Sequence, residues 1–143
     1  ILMEIVIACC AAAGCVALTT EPARFTDVKR RYGLLREHLR KSDDPRWKPL
    51  HTQCVLVGVH RDLGSGIGWN TNKGYEIGVC IDGTPNQIFH VLLHELAHCT
   101  IEEYEHSPQF WQNFRDLRKV AQSLGLYEII PVEQGFCKRT IVD

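Results

Sequence analysis

The sequence predicts an α+β fold, with helices and strands in separate runs along one domain. Three observations predict it. An amphipathic helical stripe comes first, three short β-type runs follow it, and two helices with clear N-terminal signals come after those. At 143 residues, 45% of them hydrophobic and 23% charged, the length suits a single domain with a real core.

Residues 25–41, FTDVKRRYGLLREHLRK, place Val28, Tyr32, Leu35 and Leu39 on one face at helical spacing. Thr26 is the expected N-cap and SDDP the expected stop. The β-type runs are CVLVGVH (54–60), GIGWN (66–70) and YEIGVCID (75–82), punctuated by the turn chemistry of DLGSG and TNKG. Such short connections predict an antiparallel meander. In GTPNQ, Thr84 is the N-cap, Pro85 takes the first helical position and Gln87 completes a capping box. Ile88, Phe89, Leu92, Leu93, Leu96 and Ala97 then give the apolar face. A second helix starts at Ser107–Pro108, carries Phe110, Phe114, Leu117, Ala121 and Leu124 inward, and stops at Gly125. The tail, YEIIPVEQGFCKRTIVD, reads as extended.

Residues 5–20 carry no charge. As a helix they would reach about 24 Å, short of the roughly 30 Å of a bilayer core. Residues 1–20 are therefore set apart from the domain at 21–143, either as a membrane anchor or as a segment that is buried or removed. No basic stretch precedes the apolar run, unlike an ordinary signal peptide. The location is open between an intracellular one and a membrane reached through residues 1–20. The net charge of −1 hides nine Lys/Arg against four acids in residues 24–48. That stretch is either the wet face of a helix or a surface for phosphates, DNA among them. Seven cysteines without a CxxC pair make neither a disulfide framework nor a zinc ribbon. Buried free thiols are expected.

The chemistry lies in residues 90–111, HVLLHELAHCTIEEYEHSPQFW. Imidazoles in an apolar helix need a reason. His94 and His98 are four apart and project from one face, with Glu95 between them. This is H-E-x-x-H, two histidines for one zinc ion and a glutamate for base. A third ligand is needed. His90 and His98 stand about 12 Å apart along a helix and cannot share an ion, so His90 is expected behind the site or in solvent. Glu102, Glu103, Glu105, Glu128 and Glu133 are candidates, and His106, just before the second helix start, is the best one. Phe110 and Trp111 are expected to pack under the site, and Cys99 in the core. His38, His51 and His60 are expected at the surface or in structural roles. Neither Tyr104 nor Tyr127 is well placed to stabilise an oxyanion.

HELAHCTIEEYEHSPQFW resembles the zincin metallopeptidases of the SprT and WLM type, the group that contains the Spartan protease, in the compact form found in large DNA viruses. The likeness covers residues 84–117, about a quarter of the chain, and Ser107 stands where glycine is commoner in the group. The resemblance implies a minimal zincin-like fold, a small antiparallel or mixed sheet packed on the active-site helix, with YEIGVCID as the edge strand lining the cleft. It also implies a zinc-dependent endopeptidase that attacks a protein or peptide substrate with metal-activated water. His94, His98 and His106 would be the ligands and Glu95 the general base. Members often act on proteins bound to DNA, which would suit the basic stretch at 24–48. The competing expectation is a catalytically silent zincin-fold binding protein, anchored through residues 1–20.

Overall fold

The structure is a computed structural model that describes residues 21–60, 67–73, 75–103 and 105–143. The anchor reading of residues 1–20, and Tyr104, lie outside the described residues. Among those residues no helix is long and apolar enough to cross a membrane.

Helix α1, Ala23–Arg40, buries the expected stripe of Val28, Tyr32, Leu35 and Leu39, with Phe25 added. It begins ahead of Thr26, at a Pro22 N-cap that offers no side-chain cap. Proline is pre-set for a helix start, and the Thr26 hydroxyl instead donates back to Pro22 O. A short 3-10 helix, Pro45–Leu50, follows under the Asp44 cap and buries Trp47 and Leu50.

The strands are β1 (Val55–Val59), β2 (Gly68–Thr71) and β3 (Glu76–Cys80), in the sheet order β1-β3-β2. This corrects the expected meander, because β1 pairs β3 in parallel and only β2 pairs β3 antiparallel. It also moves the edge. β3 is the central strand, with Ile77, Val79 and Cys80 fully buried. A near-continuous apolar run is what a strand covered on both faces requires, whereas the polar GWNT of β2 suits an edge. Trp69 lies opposite Gly78 across the β2–β3 pair, and its ring occupies the space where a side chain at Gly78 would stand.

Helix α2, Pro85–His98, starts with the full Thr84–Gln87 capping box, and helix α3, Pro108–Ser123, starts under the Ser107 cap. Gly125 ends the run with φ +73°. The tail forms a hairpin of β4 (Gln134–Phe136) and β5 (Arg139–Ile141), turning through Cys137 and Lys138, both at positive φ. The core gathers where α1, α2, α3 and the sheet meet, around Leu35, Ile77, Phe89, Leu92 and Phe114. The architecture is mixed α+β, as expected.

Two further differences concern charge and sulfur. Cys80 and Cys137 form a disulfide, against the expectation of free thiols; the topology lays the tail hairpin against the end of β3, which spacing alone does not reveal. Cys54 and Cys99 are free and buried as expected. Of the nine basic residues at 24–48, seven form ion pairs with Glu21, Asp27, Glu37, Asp44, Asp82 or Asp116. Arg46 holds the 3-10 helix to α3 by pairing Asp44 at 2.7 Å and Asp116 at 2.6 Å.

Candidate metal centre

The last turn of α2 carries His94 and His98 on one face, and the chain leaves the helix immediately after His98. It returns at His106, the residue before the Ser107 cap of α3. One ring nitrogen from each of His94, His98 and His106 lies within 4.8 Å of the other two. Nε2 of His98 and Nε2 of His106 are 3.0 Å apart. Two nitrogens on one tetrahedral zinc ion would be about 3.3 Å apart. Three imidazoles so arranged can hold a metal ion.

Phe110 forms the floor. It is fully buried, and its ring centre lies 4.4 Å from that of His98, 4.7 Å from His106 and 5.0 Å from His94. Trp111 departs from expectation. It is 44% exposed, because its place in the first turn of α3 points toward the His94 and His106 rings rather than the core. Burial pushes His94 down to about 3, helped by the neighbouring His98 and His106, and pushes His98 down to about 4. Both rings are therefore neutral near pH 7, the form that binds a metal through a ring lone pair.

Glu95 is buried, and burial pushes its carboxyl up to about 7. Its Oε2, like Nδ1 of His98, is enclosed without a hydrogen-bond partner among the described residues. A buried carboxyl oxygen without a partner, lining the same cavity as His94, has the chemistry of a group waiting on water or substrate. Strand β2 runs close by. A side chain at Gly68 would meet Val91 Cγ1 at 2.8 Å and Glu95 Cγ at 3.3 Å, so glycine lets this strand lie against the helix at the site.

Two supports escape sequence reasoning. Asn70 Nδ2 donates to Glu95 O at 2.9 Å and to Cys99 Sγ at 3.1 Å. Lys73 Nζ donates to His98 O, Ile101 O and Glu103 O at 3.3, 3.0 and 2.9 Å. The β2–β3 turn thus grips the end of α2 and the loop leading to His106. A cation at a helix C-terminus also meets the favourable end of the helix dipole. The TNKG turn was legible, but the reach of its lysine was not.

The other candidates fall elsewhere. Glu102, Glu105, Glu128 and Glu133 are exposed and outside the cluster, and Glu103 accepts from the Ser107 hydroxyl. His60 pairs Asp82 at the surface. His90 is buried rather than facing solvent: its Nδ1 lies 2.8 Å from Tyr127 Oη, which donates to Asp143 Oδ1 at 2.6 Å. Arg118 pairs the same carboxylate at 3.1 Å.

No family model matches the chain, and no solved structure matches it. Over 53 residues the chain is 40% identical to an uncharacterized protein, 136R, of Invertebrate iridescent virus 6. The match takes in 36% of this chain and 30% of the viral protein, so the chain covers under a third of that relative's length.

Proposed function

We propose that the chain is a zinc-dependent endopeptidase on a minimal zincin-like fold, similar to the SprT and WLM peptidases. The observation that carries this reading is the convergence of ring nitrogens of His94, His98 and His106 within 4.8 Å of one another, with the buried Glu95 lining the same cavity as His94. Three imidazole nitrogen donors suit zinc and would leave a fourth position for chemistry. Once bound, zinc would polarise a water molecule and the substrate carbonyl. The three imidazoles hold the ion, and the Phe110 floor fixes their planes. Glu95, with an ionisation near neutrality and an unpartnered oxygen, takes the proton of the attacking water and returns it to the leaving amine. The substrate is a polypeptide laid along the outer edge of β2 as an added strand. This edge replaces residues 75–82, which form the centre of the sheet. DNA is a weaker partner proposal, since most of the basic charge at 24–48 is already paired.

The test is bound zinc and casein hydrolysis in the native chain and in Glu95→Gln, with and without DNA. One zinc in each protein, with hydrolysis only in the native chain, supports the peptidase. One zinc in each and no hydrolysis under any condition favours a binding protein on the same scaffold. Absence of zinc from the native chain refutes both.

A further inference from the structure

A cavity of about 260 Å³ opens beside His94 and Glu95. Its walls are apolar: Ile67 comes from the approach to β2, Val91 from α2, Trp111 and Phe114 from α3, and Ile141 and Val142 from the tail. Phe114 and Ile141 are buried to 2% and 4% exposure, so the floor is part of the core. Trp111 and Val142, at 44% and 41%, form an apolar rim open to solvent. Besides His94 and Glu95, the polar residues on the wall are Thr140 and His90, and the His90 Nδ1 is already engaged by Tyr127 and Asp143. An arriving charged side chain would lose water and find no opposite charge beyond Glu95.

We propose that this cavity is the selectivity pocket of the site, taking one large apolar side chain such as leucine, methionine or phenylalanine from a residue flanking the bond to be cut. The proposal rests on the peptidase reading above and adds the class of substrate. Three features of the cavity support the choice of occupant. At about 260 Å³ the cavity has ample room for one such side chain. It adjoins Glu95 and Gly68, so a strand laid along β2 passes its mouth. Its rim leaves Trp111 and Val142 exposed, apolar surface that such a side chain would cover.

Two metal-binding probes separate this proposal from the reading beneath it. Acetohydroxamate can engage the metal alone, whereas 3-phenylpropionohydroxamate carries a ring to fill the cavity. On the zinc-loaded protein, with affinity read from tryptophan fluorescence, the phenyl probe is expected to bind about 10- to 100-fold more tightly, from burial of its ring. In Val142→Asp, which places a charge on an exposed rim rather than in the core, the two affinities should converge to within about threefold. Equal affinities in the native chain would overturn the pocket and leave the metal site standing. Binding of neither probe would remove the metal site and the pocket together. A preference that persists unchanged in Val142→Asp would also overturn the proposal, because the ring would then be binding elsewhere.

Discussion

Lys73→Met removes one ammonium from three backbone carbonyls, His98 O at 3.3 Å, Ile101 O at 3.0 Å and Glu103 O at 2.9 Å. Those carbonyls end the helix that carries two of the imidazoles and begin the loop that delivers the third. A hydrogen bond to a charged group contributes about 1.5–3 kcal/mol. Three bonds sharing one donor on a partly exposed loop do not add, which puts the whole clamp at about 2–3 kcal/mol. No helix or strand includes the described residues of that loop, which is otherwise tied down near its start by buried Ile101 and by Asn113 Nδ2 donating to Thr100 Oγ1 at 2.8 Å. Much of that loss therefore falls on the placement of His106 relative to His94 and His98. Zinc affinity should then fall about 30- to 150-fold. Competition with a chromophoric chelator measures it, and Lys73→Arg should recover most of the loss because it keeps the charge and the donors. A zinc affinity within threefold of native in Lys73→Met, together with a lowered melting temperature, would refute the reasoning. The lysine would then serve stability alone.

Glu95→Gln should retain zinc while casein hydrolysis drops by about 10²- to 10⁴-fold, the usual contribution of a positioned base; metal analysis beside a protease assay checks both halves. His106→Ala should keep the fold by circular dichroism and bind zinc much more weakly than native in the same chelator competition. Arg46→Met should cost about 1–2 kcal/mol in urea unfolding at neutral pH, since its partners are only partly enclosed. Arg46's hydrogen bond holds Asp44 below the usual 3.8; burial opposes the same effect at Asp116 but is outweighed. Carboxyls held low stabilise the fold above their unfolded value and lose that contribution as pH falls through the folded one. The gap between native and Arg46→Met should therefore be full above about pH 4 and close below it. Cys137→Ser removes a crosslink between residues 57 apart in sequence, and chain entropy puts the loss at about 4 kcal/mol, measurable by denaturation with and without reductant.

The starts of α2 and α3 were the most legible part of the fold, whereas the start of α1, lacking a side-chain cap, was misplaced at Thr26. Thr84–Pro85–Gln87 and Ser107–Pro108 declare themselves because capping is local chemistry, settled within four residues of chain. The imidazole triad was legible for the same reason: the spacing of His94 and His98 is fixed by the helix, and His106 by the cap that follows it. Strand order was not local. Whether β1 neighbours β2 or β3 depends on which strand can be buried on both faces. The unbroken apolar run at 77–81 held that information, but the shortness of the connections pointed to a meander instead. Trp111 was misread because an aromatic residue in a first helical turn can face the core or a cleft, and hydrophobicity alone does not choose. The grip of Lys73 and the Cys80–Cys137 bond join residues far apart in sequence, and no window along the chain contains both partners.

That bond closes a covalent ring. Residues 80 to 137 form a loop that contains α2, α3 and every side chain of the triad. A cut anywhere inside it opens the ring without dividing the molecule. Glu102, Glu103 and Glu105, exposed between His98 and His106, mark one place where such a cut could fall. A nick there would separate two of the imidazoles in sequence while the disulfide still held their helices in one particle. Such a nick would thus leave the mass and hydrodynamic size almost unaltered under oxidising conditions, and would surface as two fragments only on a reducing gel.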